Sequence, residues 1–420
     1  MKRYNAYKDS GVKWIGEIPS HWKTTKLKHI IVKLYREKRP NSELLVCSNK
    51  GKVIKKGDSK IGLVADNDDI YQGVCKGDLL IHGMDTWHGA IAISNFDGMC
   101  TPVVHVCDSK QNKTYIALYL QFMAISKVFK LISNGVRQNT SDFRSWDKVG
   151  AIPIMVPPLH EQQAIVDYLK DKTLKIEQYV SARERERELL DSLKQSEIAN
   201  VVTRGLNPNV KMKDSGIPWI GEIPEHWEVK RWGNAFKENK DINSNLENTT
   251  AFQFNYGSLV RKKREYKEEE DAETYAKYTI LKPKDIVING LNLNYDFVSQ
   301  RVAISDDNGI ITSAYISMHP RDNVEAQYFC YLFKTMDAMK LFHGMGTGIR
   351  LTLSFAELKK QYIPIPPLSE QQAIVAYIDE KLQKIDKYMC DLQREIDYLK
   401  EFKQRLISDA VTGQLCITKQ

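Results

Sequence analysis

The chain has 420 residues, enough for two to four domains that each bury a core, and its 42% hydrophobic and 27% charged content is that of an ordinary globular protein. No apolar run approaches the roughly 18 residues of a membrane span, no signal-peptide apolar region follows the lysine-rich start, and seven cysteines without framework spacing suit reduced thiols, so the expected location is cytoplasmic. A net charge of +8 leans toward a polyanionic partner.

Taken in chain order, the first element is an aromatic lead-in, KDSGVKWIGEIPSHW at 8–22, which returns as KDSGIPWIGEIPEHW at 213–227 with 12 of 15 positions identical. Paired tryptophans with Gly and Pro predict an irregular segment docked by its indoles. An insert follows, in which GDLLIHG (77–83), AIAISNFDG (90–98) and PVVHVCD (102–108) read as short strands between tight turns, and YIALYLQFMAIS (115–126) has helical spacing. Next comes PPLHEQQAIV at 157–166, repeated as PPLSEQQAIV at 366–375 with 9 of 10 positions identical. Double prolines suit the lead into a helix, and the chain beyond each pair predicts a helix of about 40 residues, or about 60 Å.

The second half repeats this order. Its insert has strand-like KDIVING (284–290), RVAISDDNG (301–309) and SAYISM (313–318), then helical AQYFCYLFKTMDAMKLF (326–342). In its long helix Ile378, Leu382, Ile385, Met389, Leu392, Ile396 and Leu399 alternate steps of four and three, a coiled-coil seam. The matching positions of the first helix are Leu169, Thr173, Ile176, Val180, Arg183, Arg187 and Leu190, interrupted by RERERE at 183–188. Two such helices in one chain pair most simply with each other, and antiparallel pairing gives an internal pseudo-two-fold repeat. The expected fold class is α/β, and a repeat with a period near 205 residues decides the architecture.

The inserts 23–150 and 228–360 share almost no sequence, and their charge differs too. The first has 20 Lys and Arg against 12 Asp and Glu, the second 19 against 18, with a local cluster Arg261, Lys262, Lys263 and Arg264 followed by Glu268, Glu269 and Glu270. The sequence carries no enzyme signature. There is no GxxxxGK[ST], GMGTG (344–348) is a glycine-rich turn with no following Lys, VPPL and IPPL lack the ends of an adenine-methyltransferase [DN]PP[YF], and ENK (238–240) has no carboxylate partner for a metal. Cys75, His82, His88, Cys100, His105 and Cys107 have no CxxC or HxxxH spacing, and read better as core cysteines and strand histidines than as zinc ligands.

Two copies of WIGEIPxHW, each followed by an unlike insert, a PPLxEQQAIV element and a long helix, resemble the specificity subunit of a type I restriction-modification system over essentially the whole chain. The resemblance implies two α/β target recognition domains joined by two long helices that form an antiparallel coiled coil. The corresponding division is 1–150 for the first lead-in and recognition domain, 151–206 for the first spacer helix, 207–360 for the second lead-in and domain, and 361–420 for the second helix. It further implies double-stranded DNA as ligand, read as a bipartite asymmetric target. Two modification (methyltransferase) subunits would dock on the helices, with restriction (motor-nuclease) subunits beyond them. S-adenosylmethionine, ATP and Mg would belong to those partners, with no cofactor, no metal and no catalysis in this chain. The competing reading is a coiled-coil interaction adaptor without DNA recognition.

Base readout needs Arg, Lys, Asn or Gln on loops, and cations near phosphates supply salt-dependent affinity. Candidate loops are GMDTWHG (83–89) with NGVRQNT (134–140), and GLNLNYDF (290–297) with GTGIRLT (346–352). The candidate DNA-binding residues are Trp87, His88, Arg137, Gln138, Asn139, Arg261, Lys262, Lys263, Arg264, Asn292, Asn294, Tyr295 and Arg350.

Overall fold

The structure is a computed structural model that describes residues 3–37, 41–57, 70–133, 141–295 and 300–417. It divides into two compact units, Met1–Glu184 with Gln393–Gln420, and Arg185–Leu392, so that part of each long helix belongs to each unit.

The two units repeat one architecture. In the first, a four-stranded sheet runs in the order Ile31–Lys33, Val104–Ser109, Leu79–His82, Ile91–Ile93. In the second the order is Phe236–Glu238, Ile316–Pro320, Ile286–Ile288, Val302–Ile304. All these pairings are antiparallel, with Leu80 between Val106 and Ala92 in one sheet and Val287 between Ser317 and Ala303 in the other. The apolar runs of the sequence are unbroken because both faces of each sheet are covered. Leu79 and Ile81 face the helix Lys113–Ile125, and Ile286 and Ile288 face the helix Ala326–Ala338. The alternate residues Leu80 and Val287 face a β-hairpin instead. That hairpin is Leu45–Ser48 with Lys52–Lys55 in the first unit and Phe252–Asn255 with Ser258–Arg261 in the second.

The near-identical frames meet in space. The strand after each tryptophan pairs with the strand before each double proline, Lys23–Lys26 with Pro153–Val156 and Glu228–Arg231 with Tyr362–Ile365. This sets the Glu of each EQQ element against the His-Trp of the lead-in. Glu161 accepts hydrogen bonds from Trp22 Nε1 at 3.0 Å and the Tyr4 hydroxyl at 3.2 Å, with His21 Nε2 at 2.7 Å. Glu370 takes Trp227 Nε1 at 3.0 Å and His226 Nε2 at 2.8 Å. Trp22 and Trp227 are fully buried, as docking by indoles predicts, and a buried carboxylate requires such partners. The following Gln closes a second joint. Gln162 Oε1 accepts from Asn112 N at 3.0 Å and Gln371 Oε1 from Glu325 N at 2.8 Å, each just ahead of its insert helix. Both glutamines are wholly buried.

The long helices are Leu159–Arg204 and Leu368–Val411, 46 and 44 residues, or about 70 Å at 1.5 Å per residue. The seam from Ile378 to Leu399 is buried or half-buried at every position, while its neighbours are largely exposed. Pairing is antiparallel within each unit. In the first, Glu177 meets Lys403, Glu184 meets Lys400 at 2.8 Å, and Tyr179 donates to Glu395 at 2.9 Å. In the second, Tyr388 donates to Glu186 at 2.6 Å, Lys194 meets Asp386 at 2.7 Å, and Tyr377 donates to Glu197 at 2.6 Å. The RERERE interruption is therefore matched across the seam, with Arg183 Nε 3.3 Å from Glu395.

The helix ends are held alike. Each ends on a left-handed glycine, Gly205 and Gly413, and a buried tyrosine of the insert helix caps a last-turn carbonyl. Tyr328 donates to Val202 O at 2.7 Å and Tyr115 to Val411 O at 3.1 Å. Within the first unit, residues 413–417 lie against the lead-in, where Tyr7 donates to Gly413 O at 3.0 Å and Arg3 to Gln414 Oε1 at 3.0 Å.

Candidate nucleic-acid interface

In the second unit three segments converge at one end of the sheet. The loop after strand Ile286–Ile288 turns at Asn292, exposed and left-handed with φ 51°, into a short 3-10 turn at Leu293–Tyr295. The loop 346–352 docks on it. Leu293 N donates to Leu351 O at 3.2 Å, Leu353 N to Gly290 O at 2.9 Å, and Asn294 Nδ2 to Ile349 O at 3.3 Å. Thr347 and Thr352 close that loop with two backbone bonds, leaving Ile349 98% exposed at the tip and Arg350 exposed beside it. The hairpin is the third segment. A Cβ at Gly257 of its turn would lie 3.1 Å from Gln300 Cβ, next to buried Arg301. Arg301 donates to the carbonyls of Asn289 at 2.9 Å and Leu291 at 2.7 Å, so it positions the 289–292 loop from beneath.

The first unit joins equivalent parts. Ser141 binds Met84 O through its N–H at 2.9 Å and Gly83 O through its hydroxyl at 2.9 Å, so the chain leaving 134–140 sits on the 83–89 loop. Gln121 Nε2 reaches Ile91 O at 2.6 Å and Gly51 O of the hairpin turn at 3.5 Å. Trp87 is half-buried with Lys130 Nζ 5.7 Å from its ring centroid, and His88 is exposed at the end of a 3-10 turn. Arg137, Gln138 and Asn139 lie outside the described residues, as does the side chain of Tyr295.

The basic cluster is more self-paired than its sequence suggests. Arg261 pairs with Asp307, whose carboxyl is held below its usual range by the N–H of Asn308 and by that guanidinium. Arg264 pairs with Glu270 and, at 3.3 Å, with Asp271. Lys262 lies over the Tyr275 and Tyr278 rings at 5.6 and 5.5 Å. Lys263 is exposed and, among the described residues, has no ion pair. The hairpins themselves, with Lys50 and Lys52 exposed at the turn of the first and Tyr256 at the turn of the second, escape the sequence reading. The available signal was the N-K-G and N-Y-G turn between alternating apolar residues.

Of the histidines and cysteines singled out in the first insert, Cys100, His105 and Cys107 are core residues, Cys75 and His82 are half-buried and His88 is exposed. Burial lowers the His105 and His82 pKa values below the ordinary imidazole range, and His105 Nε2 lies 2.7 Å from Phe143 O. Burial pushes the Cys100 and Cys107 thiols up to about 12. Among the described residues no group of three or more His, Cys, Asp or Glu could hold a metal ion, and no helix is long and apolar enough to cross a membrane.

A family model for the type I restriction modification DNA specificity domain matches residues 19–182 and again 224–396. The chain therefore belongs to the type I restriction-modification DNA specificity family and carries two such domains, one for each repeat. It is 22% identical over 440 residues to a Methanocaldococcus jannaschii chain assigned as the MjaX type I restriction enzyme specificity subunit, covering 96% of this chain and 95% of that one. It is 36% identical to the Escherichia coli EcoBI specificity subunit over 63 residues, 15% of this chain and 13% of that one. In fold it is similar to a chain from a study of complex assembly and conformational transition of the type I R-M system, with a TM-score of 0.70, 16% identity, and 95% and 99% of the two chains covered. It is also similar to the HsdS subunit of Thermoanaerobacter tengcongensis, with a TM-score of 0.54, 18% identity, and 95% and 98% covered.

Proposed function

We propose that this chain is the sequence-reading subunit of a type I restriction-modification complex, binding a bipartite, asymmetric double-stranded DNA target with one half-site per unit. The observation that carries this reading is the contrast inside each unit. Glu161 and Glu370 keep the same His and Trp partners, whereas most of the converging loop sequence differs, GMDTWHG against GLNLNYDF, around a shared Gly-Val-Arg at 135–137 and Gly-Ile-Arg at 348–350. A scaffold that repeats while its loops diverge is what two different base sequences demand, because half-site geometry follows the protein frame and base identity follows the side chains.

In this reading the long helices dock two methyltransferase subunits, and restriction subunits join them. S-adenosylmethionine, ATP and Mg act in those partners, within a cytoplasmic complex. The chain itself performs no chemistry. The test is methylome sequencing of cells carrying the chain with its modification partner, and a chimera in which 23–150 is replaced by the insert of another specificity protein. One half of the target should change while the other half and the spacer stay constant. Change in both halves, or in neither, defeats the reading, as does methyl transfer by the purified chain with no partner detectable by mass spectrometry.

A further inference from the structure

The β-hairpin of each unit has one face committed to the sheet and one face open. In the second unit Phe252, Phe254 and Leu259 turn inward onto Val287, and Gln253, Asn255, Ser258 and Val260 turn outward and are exposed. Gln253 stands directly across from Val260, and Asn255 from Ser258. Tyr256 caps the ribbon, 76% exposed. Among the described residues, the side chains of Gln253, Asn255, Tyr256 and Ser258 make no hydrogen bond, so this surface offers unsatisfied amides in a row. In the first unit Leu45, Cys47 and Val53 turn inward, and Val46, Lys52 and Ile54 lie on the opposite face. The same ribbon thus carries two different outer faces.

We propose that the outer face of each hairpin enters the major groove and reads bases, with Gln253 and Asn255 taking adenine edges in one half-site and Lys52 a guanine in the other. This rests on the reading of the chain as a DNA-specificity protein and names where on each unit the sequence is read. Three arguments carry it. The major groove is about 12 Å wide and admits a two-stranded ribbon, and an amide can bind adenine N6 and N7 together. Residues two apart on one strand lie roughly 7 Å apart, about two base-pair steps, which suits Gln253 and Asn255 to bases two positions apart. The turn of the ribbon packs at Gly257 on Gln300, beside the Arg301 that holds the 289–292 loop, and Lys263, exposed and without an ion pair among the described residues, follows its second strand. On the second hairpin the exposed amides of Gln253 and Asn255 outnumber the one apolar residue beside them, Val260, and on the first hairpin Lys52 and Ser48 stand at the turn end of the face that carries Val46 and Ile54.

The experiment uses the full chain in complex with its modification subunit and selects from randomised double-stranded DNA. Gln253→Ala and Asn255→Ala should each relax adenine preference at one position of one half-site by about 5- to 150-fold, leaving the other half-site unchanged. Gln253→Glu should move that position toward cytosine, whose amino group a carboxylate accepts. Lys263→Ala should weaken all sequences alike and lower the salt slope by about one. If all three amide variants, with wild-type melting, keep every base preference of the parent, the hairpin proposal is wrong while the specificity reading stands. If the parent complex selects no sequence at all, the specificity reading itself fails. If Gln253→Ala or Asn255→Ala instead abolishes assembly with the modification subunit and leaves base preference intact, the ribbon is a protein interface and the proposal is overturned.

Discussion

The two units differ most instructively in how each pairs the same buried aspartate. Asp78 and Asp285 stand just ahead of the central strand, each accepting a backbone N–H three residues back, from Cys75 and Lys282, both at 2.8 Å. In the first unit the charge is met by Arg36. In the second it is met by His319 Nδ1 at 2.5 Å and Asn239 Nδ2 at 3.2 Å, and burial still raises the Asp285 carboxyl above its usual range. The Glu161 and Glu370 joints, by contrast, share their His and Trp partners and differ only by Tyr4. Contacts that join lead-in to long helix keep their chemistry, and contacts inside an insert need only be satisfied. That division of labour is what allows an insert to change without disturbing its frame.

The comparison predicts equal damage where the frames agree. Trp22→Ala and Trp227→Ala each empty a fully buried indole site and strip a donor from a carboxylate, buried at Glu161 and half-buried at Glu370, and each should cost about 3–5 kcal/mol. Hydrogen exchange should show each variant opening its own unit first. A marked inequality between the two would break the equivalence of the frames.

The helix-end glycines should separate the units. An alanine Cβ at Gly413 would lie 2.3 Å from the Pro19 ring, which cannot swing away, whereas at Gly205 the nearest atom, at 2.8 Å, is the Glu370 Oε1, the oxygen that does not take the Trp227 and His226 hydrogen bonds. Both positions are left-handed, at about 1–2 kcal/mol for alanine. Gly413→Ala should therefore destabilise by more than about 2 kcal/mol and Gly205→Ala by less, measured by thermal melting.

Acid should separate them again. His105 has its folded pKa lowered by burial, so below the unfolded value of about 6.5 the unfolded chain binds a proton that the native state refuses. The first unit accordingly loses up to about 1.4 kcal/mol per pH unit as pH falls from about 6.5 toward the lowered value. Ile316 occupies the equivalent register position in the second unit, which has no such loss there. His105→Ile should reduce that slope in the first unit to what His82, whose pKa burial also lowers, still contributes, read by hydrogen exchange across pH 5–7. The most localised expected effect is that of Arg350→Ala, which should cost about 1–3 kcal/mol of discrimination at a single base of one half-site and leave stability unchanged, read by binding selection.

Much of the fold was legible because its signals are local or repeated. The seam from Ile378 to Leu399, the strands around Leu80 and Val287, and the helices beginning near Lys113 and Ala326 announce themselves by period and by bounding turns. The repeated frames announce a tandem. What joins them does not show in the sequence, since Glu161 meets Trp22 across 139 residues and no pattern marks the pair. Of the candidate loops, 290–297 and 346–352 touch through Leu293 and Leu351. The hairpins were missed because their four-residue strands are too short for period-two alternation to stand out, and the charge of Arg261–Arg264 drew attention from the amides just before it. Asp307, which neutralises Arg261, lies 46 residues away and was beyond any local reading.

The tyrosine-capped helix ends bear on how freely the gene could be rearranged. In the second unit the first helix passes through Gly205 straight into its lead-in, and in the first unit Gly413 to Ile417 reach the lead-in at Arg3 and Tyr7 from the far end of the chain. The fold thus treats a covalent link and a docked end as equivalent. A chain with Ile417 linked to Arg3 through a short flexible linker and opened between Leu206 and Val210 should therefore fold, which thermal melting of that permuted chain checks.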